Sequence, residues 1–412
     1  MTRRVVVTGI GIVSPLGDTV GELFGNLIAR KSAVRRIDTR FDEALMSPVA
    51  ATVDDFTPGA AFPLNKLVAL DRTSQFALLA ARRAIEDADL SLAELDADDV
   101  GVAVGTGMGG AATLDQAYLE LYRHGENRLR PMTLVSAMHQ AVAANISIEF
   151  ELRGPSFTYS SACASSAIAI GEASRHIRHG YAEVMVAGGA EALLTLGTIR
   201  SWEALRTLAR VDEQCPARSC RPFSRDRTGL VLGEGAAFVV LEEWSRAQRR
   251  GAPAYGELLG YGACSDACHL TQPQAEGQAR AMRLALSDAG VSPADIDYIN
   301  AHGTGTPAGD AVETAAIKAA LGDFAHEIPV SSTKALHGHL VGAAGALEFI
   351  IALLAARHRI VPPTAHLDAP DPACDLDHVP NRPREAKRLR TVMSNSFAFG
   401  GANAVLVGRG VG

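Results

Sequence analysis

One order of elements occurs twice along this chain, and a duplication restricts the possible folds more than any single motif does. The stretch AIEDADLSLAELDADDVGVAVGTGMGG, beginning at Ala84, aligns with ALSDAGVSPADIDYINAHGTGTPAG, beginning at Ala285, after a small length difference. Each predicts a helix, a turn, a short strand and a Gly-Thr-Gly loop. The helical faces also agree. Ala81, Ala84, Ile85 and Ala88 fall at i, i+3, i+4 and i+7, as do Met282, Ala285, Leu286 and Ala289.

A weaker echo follows. A strand ending in Ser160-Ser161 runs into a helix after Cys163, and IPVSST runs into the Gly/Ala-rich HLVGAAGALEFIIALLAA. If Lys334 is the counterpart of Cys163, the distances of 58 positions from Gly105 and 31 from Gly303 imply an insertion of about 27 residues in the first half. That insertion, around residues 110 to 140, is expected to form a pocket wall or a subunit contact. Near-continuous apolar strands such as VGVAV and EVMVAGG predict sheets buried on both faces. The expected architecture is therefore α/β, with two pseudo-symmetric halves, 1–250 and 251–412, in a five-layer αβαβα stack. No linker of disordered composition separates them, and IVPPTAHLDAPDP reads as an ordered surface loop.

Composition excludes several functions. With 412 residues, 47% hydrophobic and 21% charged, the chain reads as soluble and globular. The basic start MTRR leads into an apolar run broken by Gly9 and Gly11, unlike a signal peptide, and no stretch is expected to reach about eighteen apolar residues, so none is expected to span a membrane. Six cysteines fit the reduced thiols of a cytoplasmic protein. The CSDACH run, with Cys264, Cys268 and His269, matches no common zinc spacing, so no metal is expected. A net charge of −7 argues against nucleic acid but leaves room for a basic patch facing an acidic partner. Gly9 and Gly11 suggest a dinucleotide loop, but Ser14 stands where the third glycine belongs and Pro15 follows. A tight turn explains them equally well.

Most buried cysteines are inert, but Cys163 has context. In TYSSACASSAIAIGEA it falls between a strand and a helix, where unpaired N–H groups favour a thiolate and small neighbours admit a substrate. The second half offers His302 in NAHGTGTPAGD, and Lys334, His337 and His339 in SSTKALHGHLVGAAGALE. Each histidine alone is more often a packing or surface residue. A pseudo-dyad between the halves, however, would bring His302 and His339 toward Cys163. A cysteine hydrolase also places its histidine 130 to 150 positions downstream, and 139 separate Cys163 from His302. Papain-type surroundings are absent, and the duplicated α/β pattern is wrong for that fold.

These motifs, with VVVTGIGIVSPLG at the start and SNSFAFGGANAVLV near the end, span almost the whole chain. In them the chain resembles the elongating β-ketoacyl-acyl carrier protein synthases, condensing enzymes with the thiolase-like fold. The resemblance implies that Cys163 carries an acyl chain and that His302 and His339 promote decarboxylation of a malonyl-carrier thioester. It implies an oxyanion hole at the N–H groups of Cys163 and Phe399, with Lys334 and Glu348 supporting the histidines. Phe397, Ala398 and Phe399 would form a gate, in which Ala398 replaces a glycine common in the family. Thr304 and Thr306 would hold pantetheine, and Met108 would border the far end of the acyl pocket. Lys66, Arg128, Arg130 and Arg206 would meet an acidic acyl carrier protein. No cofactor is implied beyond the phosphopantetheine that the carrier brings. Cys268, standing where many relatives have an aromatic residue, and Ala398 point to a specialised polyketide or polyene pathway over housekeeping fatty acid synthesis. The resemblance also implies a homodimer through the strand GPSFTYSS, or a heterodimer with a homologous chain-length subunit. A non-catalytic subunit of that kind is the rival reading, which the Cys-His-His set opposes.

Overall fold

The computed structural model describes residues 3–37, 45–125 and 127–411, so Met1 and Thr2 of the basic start and Glu126 of the expected insertion lie outside the described residues. Among the described residues, the large sheet takes five strands from the first half: β1 (Val5–Val13), β2 (Val100–Gly105), β3 (Ser156–Tyr159), β4 (Val184–Glu191) and β5 (Gly235–Glu243). Five belong to the second: β6 (Gly256–Ser265), β7 (Tyr298–Asn300), β8 (Val330–Ser331), β9 (Thr391–Phe397) and β10 (Ala402–Gly410). Each half arranges its strands third, second, fourth, fifth, first. The second to fourth strands run parallel, and the fifth is antiparallel to both of its neighbours. The two sheets join at one short seam, where Val6 and Val7 of β1 pair with Glu257 and Gly256 of β6.

Helices α1 (Arg72–Asp87) and α2 (Ala141–Glu149) cover the outer face of the first sheet. Between the sheets lie α3 (Ser165–Arg178) and α6 (Ala344–His358), while α4 (Ala275–Ala289) and α5 (Pro307–Leu321) cover the outer face of the second. This is the expected five-layer stack. A sheet covered on both faces must be apolar on both, and all nine residues of β1 are accordingly buried. One expectation needs correcting: the helical stretch Val341–His358 has the length and apolar composition of a membrane span. Its position explains the composition, because every residue from Ala344 to Ala356 is buried between the two sheets.

The glycines of β1 form neither a dinucleotide loop nor a tight turn. A Cβ on Gly9 or Gly11 would lie 2.1 or 1.9 Å from the carbonyl oxygens of Ala84 and Ala80 in α1. The same device recurs in β6, where a Cβ on Gly260 or Gly262 would lie 2.4 or 2.2 Å from those of Ala285 and Ala281 in α4. The missing side chains let each outer helix sit directly on its strand. Asp87 then accepts from the Ile10 N–H at 2.8 Å, and Asp288 from the Tyr261 N–H at 2.9 Å.

The counterpart of Cys163 is Gly342, not Lys334. A short 3₁₀ turn, Ala162–Ala164, leads into α3, and the matching turn, Val341–Ala343, leads into α6. Both open on a residue in the left-handed region, Ala162 at φ 46° and Val341 at φ 43°. Lys334 lies earlier, on an added connection between β8 and that turn. The true counterpart therefore follows Gly303 by 39 positions, and the first half carries a smaller insertion than the alignment through Lys334 implies.

Candidate active site

The chain leaves β3, turns sharply at Ala162 and enters α3, which sets Cys163 at the positive end of the helix. Ser165 fixes the turn: its Oγ accepts from the Ser161 N–H at 2.8 Å and donates to the Ala162 carbonyl at 2.7 Å. Cys163 is only 5% exposed. From the second half, His339 follows Gly338 (φ 70°), is anchored by its N–H to the Val231 carbonyl at 2.7 Å, and brings Nε2 to 2.9 Å from Cys163 Sγ. His302 leaves the end of β7 with its ring centre 5.3 Å from that of His339 and nearly perpendicular to it. Sγ and one nitrogen from each ring all lie within 4.8 Å of one another. The pseudo-dyad thus brings together the three residues expected to meet.

Lys334 and Glu348 form an ion pair beneath the histidines, each side chain about 1% exposed. Burial drives the Glu348 carboxyl up to about 7, against the pull of the Lys334 ammonium. Burial, followed by the nearby Lys334 charge, holds both His302 and His339 well below the ordinary imidazole range. Both rings are therefore neutral at physiological pH. The thiol departs from expectation, because burial pushes Cys163 up to about 12 although Lys334 favours the thiolate. A helix end does not outweigh that loss of solvent. The resting group is a thiol, and the His339 nitrogen in contact with it is the base that can take its proton. His337 does not join the site; its Nε2 lies 2.8 Å from Thr333 Oγ1 inside the core, and burial lowers it to about 3.

A cavity of about 270 Å³ opens onto Cys163, His302 and His339. Thr304 and Thr306 line it with hydroxyls 3.1 Å apart, and the Thr306 Oγ1 also caps α5 by accepting from Gly309 N–H. Phe397, Ala398 and Phe399 line it as well. Phe397 meets the His302 ring edge-on at 6.1 Å, and Phe399 lies 5.7 Å from Trp202. Ala398 adopts φ −121° and ψ 156°, an extended conformation open to any residue. The N–H groups of Cys163 and Phe399 donate to no backbone carbonyl among the described residues, and the Cys163 N–H favours its own thiolate.

Other expected residues lie elsewhere. Met108 is 40% exposed and does not line this cavity. Of the four basic residues, only Arg206 lines the mouth. Lys66 is paired with Glu149 on the outer face of the first half, Arg130 lies 3.9 Å from Glu120, and neither they nor Arg128 border the cavity. Cys268 is exposed, whereas His269 lines the cavity with Nδ1 accepting from the Thr271 N–H at 3.1 Å.

Two sequence families account for these features together. The β-ketoacyl synthase N-terminal domain matches residues 2–247, and the β-ketoacyl synthase C-terminal domain matches residues 255–368. The chain belongs to the β-ketoacyl synthase family. It is 45% identical over 408 residues to the 3-oxoacyl-[acyl-carrier-protein] synthase 2 of Coxiella burnetii, covering 98% of both chains. It is likewise 45% identical over 411 residues to nodulation protein E of Rhizobium leguminosarum bv. trifolii, covering 100% of both. Among solved structures it is similar to the ishigamide ketosynthase/chain length factor, with a TM-score of 0.93, 37% identity and full coverage of both chains. It is also similar to a type II PKS acyl-carrier protein in complex with its ketosynthase bound to the hexaketide, with a TM-score of 0.92, 34% identity and full coverage.

Sequence reasoning missed two carboxylates of this β-ketoacyl synthase. Glu313 of α5 accepts from His302 N–H at 2.8 Å and Gly303 N–H at 2.7 Å, which fixes the histidine loop. Its signal was a polar residue on the buried face of α5, one turn after Asp310. Glu191, at the end of β4, accepts from Gly107, Met108 and Gly342 N–H groups at 2.6, 3.1 and 2.9 Å, and burial raises it to about 7. It ties the first Gly-Thr-Gly loop to the turn that matches the Cys163 turn.

Proposed function

We propose that the protein is a β-ketoacyl-acyl carrier protein synthase that catalyses decarboxylative Claisen condensation. The observation that carries this reading is one thiol and two neutral imidazoles converging within 4.8 Å at one cavity. Cys163 Sγ attacks the thioester carbonyl of an acyl carrier protein, and its proton passes by way of His339 to the departing pantetheine thiol. The N–H groups of Cys163 and Phe399 receive the tetrahedral oxyanion. A malonyl-carrier thioester then enters along Thr304 and Thr306; His302 donates a ring N–H to its carbonyl oxygen, and His339 does so in the neutral tautomer that carries its proton on Nε2. Charge develops on that oxygen as carbon dioxide leaves, and a donor placed there contributes about 3–4 kcal/mol. The enolate carbon attacks the acyl-cysteine carbonyl, the sulfur departs, and the product is a 3-oxoacyl chain two carbons longer. Lys334 and Glu348 set the charge beneath the histidines. The thioester carbonyl is the electron sink, so no resident cofactor is assigned.

The acyl carrier protein is the inferred partner, with Arg206 at the mouth to meet its acidic surface. The free edge of β3, where Phe157 is 43% exposed, supports pairing with a second chain, either a copy or a homologous chain-length subunit. The same reading places the enzyme in the cytoplasm, where its six free cysteines stay reduced. Retention of Cys163, His302 and His339 separates it from a non-catalytic chain-length subunit. The test is mass spectrometry of carrier-bound products after incubation with malonyl-carrier protein and a range of acyl primers. Cys163→Ala should lose the acyl-enzyme and the product yet still release carbon dioxide from malonyl-carrier protein. A cysteine hydrolase would release no carbon dioxide, and that result would overturn the reading.

A further inference from the structure

The groups at the reacting end of the cavity also make up a metal-ligand set. Cys163 Sγ and one nitrogen each from His302 and His339 lie within 4.8 Å of one another. A thiolate and two imidazoles are donors that zinc selects, at about 2.3 Å from sulfur and 2.0–2.1 Å from nitrogen. Around a tetrahedral ion, a sulfur and a nitrogen donor stand about 3.5 Å apart. Cys163 Sγ and His339 Nε2, now at 2.9 Å, need to part by only a fraction of an ångström. The three donors come from three separately anchored loops, fixed by Ser165, by the Val231 carbonyl and by Glu313, so their spacing does not depend on one mobile segment. The positive charge of Lys334 would repel a cation, but Glu348 pairs with it, and the Glu191 and Glu313 carboxylates stand nearby. The cavity side leaves a fourth position for water.

We propose that Cys163, His302 and His339 together bind zinc as a reversible ligand that blocks acyl transfer to Cys163. Binding exchanges the S–H bond for an S–Zn bond, and the proton goes to the buffer. Nothing is oxidised or reduced. The binding stands on the ligand geometry alone. The inhibition rests on the function proposed above.

Cobalt(II) is the spectroscopic probe for the full-length protein. One equivalent per chain should give a thiolate-to-cobalt charge-transfer band, which zinc abolishes. Calorimetry with zinc in buffers of different ionisation enthalpy should report one proton released per ion. Zinc should slow iodoacetamide alkylation of Cys163 at least about tenfold while leaving that of exposed Cys268 unchanged, and a chelator should restore the rate. Cys163→Ala should lose the band. His302→Ala and His339→Ala should weaken zinc binding by more than the roughly 10–100-fold that changes outside the ligand shell produce. Cys268→Ser should leave the band in place, and its loss there would move the ion to Cys264, Cys268 and His269. An unchanged band in Cys163→Ala, or zinc bound without protection of Cys163, overturns the site. Zinc bound with the band present but condensation undiminished overturns the inhibitory role, whereas failure of condensation without zinc bears on the proposed function instead.

Discussion

Replacing Glu348 with Gln removes the counter-charge of a lysine that has no other way to solvent. Both side chains are about 1% exposed, so water dilutes neither the attraction nor the loss, and the surface-pair range of roughly 0–1 kcal/mol does not apply. Breaking a buried pair from one side costs about 3–5 kcal/mol because a charge is left uncompensated. Unfolding entropy is about 2.1 cal/mol/K per residue, which for this chain of 412 residues gives roughly 0.9 kcal/mol/K. The expected fall in Tm is therefore about 3–6 °C. The double variant Lys334→Met/Glu348→Leu removes both charges while keeping most of the volume, so it should recover most of that loss. Urea and thermal denaturation of the wild type, Lys334→Met, Glu348→Leu and the double variant complete a double-mutant cycle, in which the double variant should lose far less stability than the two single losses added together. A double variant as unstable as the sum of the singles would refute the reasoning, because the two groups would then act independently.

Alkylation separates the two histidines: because His339 touches the sulfur and His302 does not, His339→Ala should change the iodoacetamide rate of Cys163 more than His302→Ala, although both should slow malonyl decarboxylation. A thiol raised to about 12 by burial is protonated at every physiological pH, so its alkylation should climb about tenfold per pH unit through pH 10, and a plateau near the ordinary thiol range of about 8.5 would contradict the burial argument. Ala398→Gly should lower stability by roughly 0.5–1 kcal/mol through backbone entropy while speeding acylation if the gate swings at this residue; stopped-flow acylation kinetics would show an unchanged rate if it does not. Arg206→Glu should raise the KM for carrier protein and flatten its salt dependence, and unchanged kinetics across salt would remove it from the mouth contacts.

The duplication, the strand-to-helix turn at Cys163 and the convergence of His302 and His339 were all legible, because each rests on local pattern and the order of elements. What escaped depended on three-dimensional approach. Gly9 and Gly11 resemble a loop signature on paper, and only the carbonyls of Ala80 and Ala84 crowding them reveal a packing role. The repeated GIG and GYG of β1 and β6 carry that packing information in the sequence itself. Lys334 was matched to Cys163 because an added connection before α6 shifts the register. Glu191 and Glu313 looked like ordinary charges in Ala-rich surroundings, because one-dimensional pattern does not show that backbone N–H groups converge on a carboxylate. Met108 and three of the four basic residues rest on family position alone, and they do not line the cavity of the single chain.

The Gly342 turn has a consequence for how such a molecule can change. A Cβ at Gly342 would lie 2.4 Å from the Gly107 nitrogen and 2.5 Å from a Glu191 oxygen, so a cysteine cannot be installed there without expelling the carboxylate that ties two loops together. The duplicated chain therefore has a single acylation seat, and titration with a thiol reagent in the folded state should find one reactive equivalent at this depth per chain. The ancestral symmetry has become a division of labour. One half keeps the nucleophile, and the other, relieved of it, supplies both imidazoles across the dyad. Neither half supplies the whole site, so the effect of a substitution in one depends on the geometry of the other.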